Sequence, residues 1–232
     1  MKLALLADIH GNYLALRAVL DAAIPSGVER LLVAGDLVGY YFEPFKVWEA
    51  LNEWDFLAVR GNHENMLEKA YNDPHFLAEV DARYGSGLRV AIEQFPAAQL
   101  SLLWQLPKAQ TIQVGACRIQ LCHGSPWDTD QYIYPDASTD LLERCATSDH
   151  DVVVLGHSHY PMLHEVGRTL VVNPGSVGQP RNRVSGAHWG LLDTDTRTVE
   201  LRVEPYDTAA LISDCRRRHP ELPYLSEILE RT

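Results

Sequence analysis

Asp8 with His10, Asp36, Asn62, His123, and His157 with His159 are side chains able to hold a metal, and each group follows directly on a short apolar run. In open α/β sheets the crevice outside the strand carboxyl ends collects ligands, because side chains from successive strand-loop-helix units converge there. Two aspartates, one asparagine and four histidines make a nitrogen and oxygen set without sulfur, which suits Mn²⁺, Fe or Zn²⁺ better than Ca²⁺ or Cu⁺. Seven ligands exceed one coordination shell; two divalent ions roughly 3.5–4 Å apart, sharing Asp36 and a solvent hydroxide, would use them all. Asp8-x-His10 and His157-x-His159 are expected to place two ligands on one side of an extended segment. Gly35, Gly61, Gly124 and Gly156 adjoin the ligands, where a missing Cβ permits a sharp turn.

The chemistry such a centre performs follows from charge. The chain has 232 residues with 20 Lys+Arg against 31 Asp+Glu, a formal charge of −11, which repels a polyphosphate backbone and excludes general duplex DNA binding. Two divalent cations, two carboxylates and one hydroxide leave the centre itself at about +1, a concentrated positive point that draws a small phosphate ester, a nucleotide among them, to an acidic protein. A hydroxide held between two ions attacks phosphorus in line while the ions neutralise the non-bridging oxygens. His63, one residue beyond Asn62, is placed to protonate the leaving oxygen, with Asp36 or Glu64 to orient it.

The elements that must position these groups are legible as apolar runs and helical spacing. Lys2 to Ala7, Arg30 to Ala34 and Phe56 to Val59 read as buried strands, with helices expected over Leu14 to Ile24 and Phe45 to Trp54. Apolar strands alternating with helices predict a parallel sheet within a layered α/β domain. Residues 71–106 read as a helical excursion, with helices at Gly87 to Phe95 and Ala97 to Leu106 and Trp104 facing inward. Hairpins are expected at Thr111 to Val114 with Arg118 to Cys122, at Met162 to Val166 with Leu170 to Asn173, and at His188 to Asp193 with Val199 to Val203. A short helix over Leu141 to Ala146 and a strand over Asp151 to Leu155 fall between them. The second half is thus expected to supply a mainly antiparallel sheet facing the first, with helices outside and a helical tail from about residue 208, the whole chain forming one domain. Leu3 to Ala7 is too short for a secretory apolar core and no stretch approaches about 18 apolar residues, so no membrane span, and a soluble, cytoplasmic protein, is expected. Cys117, Cys122, Cys145 and Cys215 lack any Cys-x-x-Cys spacing and read as reduced, buried thiols.

Taken in order, Asp8-Ile9-His10, Gly35-Asp36, Gly61-Asn62-His63-Glu64, His123-Gly124 and Gly156-His157-Ser158-His159 resemble the calcineurin-like metallophosphoesterases over residues 1 to about 205. Asn173 to Gly178 after the last motif is similar to the small bacterial and archaeal phosphodiesterase branch. The resemblance implies a four-layer αββα sandwich with two facing mixed sheets and a dinuclear phosphodiesterase or phosphatase. It implies one metal on Asp8, His10, Asp36 and His159, a second on Asp36, Asn62, His123 and His157, and His63 as the catalytic histidine. Manganese is the first expectation for the metal, then Fe, Zn, Ni or Mg. Glu64 stands where many members have Asp, and Tyr41-Phe42 where they often have Gly-Pro.

Arg181 and Arg183 could grip a substrate phosphate bidentately, against the plainer reading of a solvated loop. Tyr40, Tyr41, Phe42 and Trp127 follow ligands in loops, where they either stack on a base or aryl group or simply pack. Arg216-Arg217-Arg218 reads as a solvated helix face, and His75, His150, His164, His188 and His219 take no role. A pyrophosphohydrolase of dinucleoside polyphosphates or alarmones is the alternative within the same chemistry. A noncatalytic metal-binding scaffold is the other, which the full ligand set and His63 argue against. Oligomeric state is left open.

Overall fold

Leu3 and Leu5 turn to one side of the first strand and Ala4 and Leu6 to the other, and all four are fully buried. A strand buried on both faces needs layers on both sides, and the rest of the chain supplies them. The computed structural model describes residues 1–146 and 149–231. Along the first half run β1 (Lys2–Leu6), α1 (Tyr13–Ala23), β2 (Arg30–Val33), α2 (Pro44–Asn52), β3 (Phe56–Ala58) and α3 (Asn62–Asn72). There follow α4 (Pro74–Tyr84), α5 (Gly87–Gln94), α6 (Ala97–Gln105), β4 (Ala109–Val114), β5 (Cys117–Cys122), α7 (Thr139–Cys145) and β6 (Val152–Val154). The chain closes with β7 (Met162–Val166), β8 (Thr169–Asn173), β9 (Ala187–Asp193), β10 (Thr198–Glu204), α8 (Ala209–Arg218) and α9 (Tyr224–Glu227).

Among the described residues the strands form two five-stranded sheets, ordered β10-β9-β1-β2-β3 and β4-β5-β6-β8-β7. Leu3, Leu5 and Leu32 from the first sheet share one core with Ile119, Leu121, Val154 and Val172 from the second. The outer face of the first sheet packs Ala4, Leu6 and Val33 under α1, α2 and the helices that follow β3. The outer face of the second packs Val153 and Val171 against Leu142 and Cys145 of α7. The result is a four-layer αββα sandwich of two mixed sheets, as the sequence predicts.

Two local expectations are corrected and one is refined. The last hairpin does not extend the second sheet: β9 pairs antiparallel with β1, which puts it inside the first sheet with β10 as the edge. Six of the seven residues of β9 are buried, so it needs covering on both faces and a paired strand on each side. The second sheet is therefore half parallel, through β5 with β6 and β6 with β8. In the excursion, expected to be helical, α4 is a helix beyond the two placed individually from the sequence. Its apolar stripe is thin, with Val80 its one buried residue among those described, and its start is written instead in Asp73-Pro74, where Asp73 caps the amides of His75 and Phe76. Finally, the ligand segments are not extended, as described below.

Candidate metal centre

Asp8, His10, Asp36, His157 and His159 all have left-handed backbone, with φ of 54°, 53°, 56°, 65° and 62°. For residues bearing a Cβ this costs on the order of 1–2 kcal/mol each, so the surroundings must enforce it. The loop after β1 is zipped to the loop after β2 by Asp8 N–H to Gly35 C=O at 3.1 Å and His10 N–H to Asp36 C=O at 2.9 Å. Asp8 is held from the other side too, its carbonyl accepting from Ser176 Oγ at 2.7 Å and from Gly178 N–H at 3.0 Å. Asn173 ties the same brace to the fifth ligand loop, the one after β6, by donating to Gly156 C=O at 2.6 Å. The Asp-x-His and His-x-His pairs thus converge through paired turns, not through strand alternation. Gly61 has to be glycine for a different reason: a Cβ there would stand 2.1 Å from Asp36 Oδ1.

The side chains so placed meet at one point. Asp8, His10 and His159 offer ligand atoms within 4.8 Å of one another, and so do Asp36, His123 and His157. Asp36 Oδ2 lies between the two groups, 3.7 Å from His10 Nε2 and 3.4 Å from His123 Nε2. Asn62 joins the second group through Oδ1, 3.0 Å from His123 Nε2. Backbone carbonyls fix three rings by their Nδ1 atoms: Val38 for His10 at 3.0 Å, Ala34 for His123 at 2.6 Å and Gln179 for His159 at 2.7 Å. A carbonyl accepts only from N–H, so all three rings carry a proton on Nδ1; the neutral His10 and His159 present a bare Nε2 inward, and His123 does so once its second proton has left. His157 is held the opposite way, with Nε2 to the Asp130 carbonyl at 3.2 Å, which leaves Nδ1 as its inward atom. Carbonyl-anchored imidazoles are the usual outer support of metal-binding histidines.

Two features of this cluster fit a cation. His10 Nε2 and His159 Nε2 stand 3.1 Å apart, although both are lone-pair atoms in the tautomers just derived. Asp8 Oδ2 is buried with no hydrogen-bond partner, an expensive state for a carboxylate oxygen unless a positive charge faces it. Burial pushes the Asp8 carboxyl up to about 7. Burial works against the charge of Asp36 as well, but His123 and His63 outweigh it and hold that carboxyl well below the usual range. The reciprocal effect lifts His123 to about 10 against burial. Burial keeps His10 and His159 well below the ordinary histidine value and lowers His157 to about 4. Neutral imidazole is the form that coordinates, so these three rings are preset for a metal.

His63 opens α3, with Nε2 turned to the cluster at 4.0 Å from Asp36 Oδ2. Its Nδ1 is buried without a partner against Gly39. A proton on that atom would have no acceptor, so the neutral ring carries it on Nε2, facing the centre. Burial lowers His63 to about 4. Glu64 does not orient His63: its carboxylate accepts from the amides of Gly61, Asp36, Leu37 and Val38 at 2.8–3.3 Å, binding the start of α3 to the loop that carries Asp36.

Tyr40 is buried at the rim, its ring 4.6 Å from that of His10 and 4.8 Å from that of His63, and its hydroxyl accepts from Arg181 at 3.3 Å. Arg181 is half-buried and its charge is felt at Asp8, His10 and His159. Arg183 is exposed, and among the described residues no hydrogen bond or ion pair ties it to the cluster. Tyr41 and Phe42 are packing residues, buried under α8 and α9. Trp127 packs beside α7 beneath the Arg144 guanidinium, 3.8 Å away. Arg216, Arg217 and Arg218 pair with Glu230 and Asp214 on the surface. The sequence reading missed Gly39, Gln179 and the two tyrosines Tyr132 and Tyr134; Tyr132 lies over His157 with ring centres 4.0 Å apart. The alternation Tyr132-Ile133-Tyr134, with Ile133 buried between exposed neighbours, was the available signal.

Comparison with known proteins gives this geometry a context. A family model described as the calcineurin-like phosphoesterase superfamily domain matches residues 1–197. A protein of Methanocaldococcus jannaschii, MJ0912, is 28% identical over 227 residues, covering 88% of this chain and 88% of its own. Phosphodiesterase YfcE of Escherichia coli K12 is 28% identical over 209 residues, 86% of this chain and 91% of its own. Among solved structures, that of PH1004 from Pyrococcus horikoshii OT3 superposes with a TM-score of 0.84 at 25% identity, over 98% of this chain and 97% of that one. Among the described residues no helix is long and apolar enough to cross a membrane.

Proposed function

The chain belongs to the calcineurin-like phosphoesterase superfamily and is a metal-dependent phosphoesterase, and on that premise we propose that it hydrolyses small phosphodiesters or monoesters at a dinuclear centre, with manganese as the preferred metal. Asp8, His10, Asp36 and His159 hold one ion in this reading, and Asp36, Asn62, His123 and His157 the other. The position of Asp36 Oδ2 between His10 and His123 carries it, because one carboxylate oxygen facing two groups of donor side chains is what a shared ligand requires. When bound, the two ions supply Lewis acidity and an activated water. The protein's own contribution is positioning and proton supply. Arg181 and Tyr40 hold the ester at the rim, with the guanidinium offering paired N–H groups to phosphate oxygens. His63 points Nε2–H at the leaving oxygen, and the negative charge of the arriving phosphate favours its protonated form. The relative YfcE is named a phosphodiesterase, which supports the diester reading.

The test is metal-stripped protein reconstituted separately with Mn²⁺, Mg²⁺, Fe²⁺, Ni²⁺ and Zn²⁺, with metal content measured and a panel of mono-, di- and pyrophosphate esters assayed. Two ions per chain with Mn²⁺ and turnover on small esters are expected. Saturation at one ion overturns the dinuclear assignment, and turnover confined to pyrophosphate bonds overturns the ester preference.

A further inference from the structure

Beyond the metal ligands, a stack of three rings leads out of the centre. His157 is covered by Tyr132 at 4.0 Å between ring centres and 30° between planes, and Tyr132 by Tyr134 at 5.6 Å and 4°. Both tyrosines remain open to solvent, at 41% and 42% exposure. They are held there by Ile133 between them, buried at 1% in the core beneath the second sheet. Past Tyr134 lies an open cleft of about 470 Å³ whose walls are Tyr134, Pro135, Asp136 and Tyr160, with Tyr160 edge-on to Tyr134 at 5.8 Å. Tyr160 is the residue after ligand His159, so one wall of the cleft is continuous with the centre. On the inner side the Arg181 guanidinium is electrostatically coupled to Asp8, Tyr40 and Tyr132.

Core packing engages Ile133, and leaves the two tyrosines beside it with exposed faces. Two parallel tyrosine rings open to solvent offer what a flat π-system needs, and base-on-aromatic stacking is a strong and sequence-tolerant contact. Arg181, which donates to the Tyr40 hydroxyl at the rim of the centre, offers paired N–H groups to a phosphate attached to that π-system.

We infer that the Tyr132–Tyr134 ladder is a binding site for the planar aromatic group, nucleobase or aryl ring, of an ester whose phosphate sits at the metal centre. This rests on the phosphoesterase reading above and narrows it to aromatic esters, nucleotides foremost. Tyr134 is the residue to change, because Tyr132 touches a metal ligand.

The experiment is calorimetric titration of the Mn²⁺-loaded protein with two matched pairs of ligands, adenosine 5′-monophosphate against ribose 5-phosphate and phenyl phosphate against methyl phosphate. Within each pair the phosphate is kept and only the ring differs. The wild type should bind the adenosine ligand roughly tenfold or more tightly than ribose 5-phosphate. Tyr134→Ala should bring that ratio close to one with ribose 5-phosphate affinity unchanged, while Tyr134→Trp should preserve the ratio. A similar advantage for phenyl over methyl phosphate assigns the site to aromatic rings in general, and an advantage for adenosine alone assigns it to nucleobases. A wild-type ratio near one, or a ratio indifferent to Tyr134→Ala, overturns the inference while leaving the phosphate reading intact. Failure of ribose 5-phosphate and methyl phosphate to bind at all overturns the phosphate reading itself.

Discussion

Gly39 leaves bare the place where a Cβ would stand 2.0 Å from Nδ1 of His63. Its backbone is also left-handed, at φ 94°, so this position combines a conformational and a steric demand for glycine. The ring of His63 is seated on the glycine backbone, which is how Nε2 comes to face Asp36. Gly39→Ala should therefore shift the ring while leaving the metal ligands in place. We expect turnover to fall about a hundredfold, the scale of a misplacement near 1 Å. Metal content should stay at the wild-type level, and both quantities are measurable on one preparation. Unchanged turnover would show that His63 has no demanding geometry to keep.

Glu64 holds the backbone on which Asp36 rides. Its carboxylate accepts from four amides, and burial still pushes its pKa up to about 7. Glu64→Gln replaces one accepting oxygen by an NH₂ that faces N–H donors. A loss of about 1–3 kcal/mol in unfolding free energy is expected, the range for leaving buried groups unpaired. Metal affinity should weaken alongside, because the Asp36 loop is released. Denaturant unfolding and metal titration of the same variant check this, and a variant as stable as wild type would move the loop's support elsewhere.

Metal uptake should release protons, with a pH dependence that follows from the groups involved. Without a metal, the charge of Asp36 overrides burial and holds His123 protonated up to about 10, and burial holds Asp8 near 7. Both must be deprotonated to coordinate. At pH 8 Asp8 has already lost its proton, so about two protons per chain should come off, one from His123 and one from the water the ions activate; toward pH 6 Asp8 adds its own. Affinity should accordingly tighten as pH rises. In Asp36→Asn the partner that raises His123 is gone, so the release at pH 8 per bound ion should fall by the His123 proton, and bound metal and turnover should fall severely. Calorimetry in buffers of different ionisation enthalpy measures the proton count. Uptake without release at pH 8 would contradict the Asp36–His123 pairing.

The cysteines offer a check on the fold away from the centre. Cys117, Cys122, Cys145 and Cys215 are free and buried. Burial raises all four thiols, Cys145 to about 11 and Cys215 to about 12, so the reactive thiolate is scarce at pH 8. A thiol reagent should label the native protein slowly and all four cysteines at once in denaturant. Rapid labelling of Cys145 in native protein would mean that α7 is not packed on the second sheet as described.

What the sequence made legible was whatever local chemistry encodes. Gly35-Asp36, Gly61-Asn62-His63 and Gly156-His157-Ser158-His159 each end an apolar run, which marks them as strand-end groups that can converge once the two sheets face each other. The left-handed turns at Asp8 and His10 were not legible, because they are enforced by Gly35, Asp36, Ser176 and Gly178, distant in the chain. The role of Glu64 was hidden for the same reason: it is played on the backbone of Asp36 to Val38. Sheet membership of β9 could not be read either, since a hairpin pattern is identical whichever sheet it joins; only its pairing with β1 decides. Arg181 and Arg183 looked equivalent in sequence and are separated by burial and by the bond that Arg181 makes to Tyr40 at the rim of the centre.

The role of His63 can be isolated by the leaving group. Burial keeps its ring neutral down to about 4, and its Nε2–H faces the centre, where His63 also stands within ligand distance of His10 and Asp36 but is not among the seven ligands proposed. His63→Ala should therefore keep both metals. Loss of a proton donor costs roughly 10²–10⁴-fold when the leaving oxygen is strongly basic, as in an alkyl or ribose ester. A nitrophenolate departs without a proton, so its hydrolysis should suffer far less. The two esters also separate this role from a second one, in which the neutral imidazole only hydrogen-bonds a phosphate oxygen as charge builds in the transition state. That contact is made to the same group in both substrates, so its loss would slow them equally. The measurement is kcat on each ester type for wild type and variant, with metal assayed in parallel. An equal loss on both assigns His63 to stabilising the phosphate, an unequal one to protonating the departing oxygen, and a loss of metal makes it a ligand.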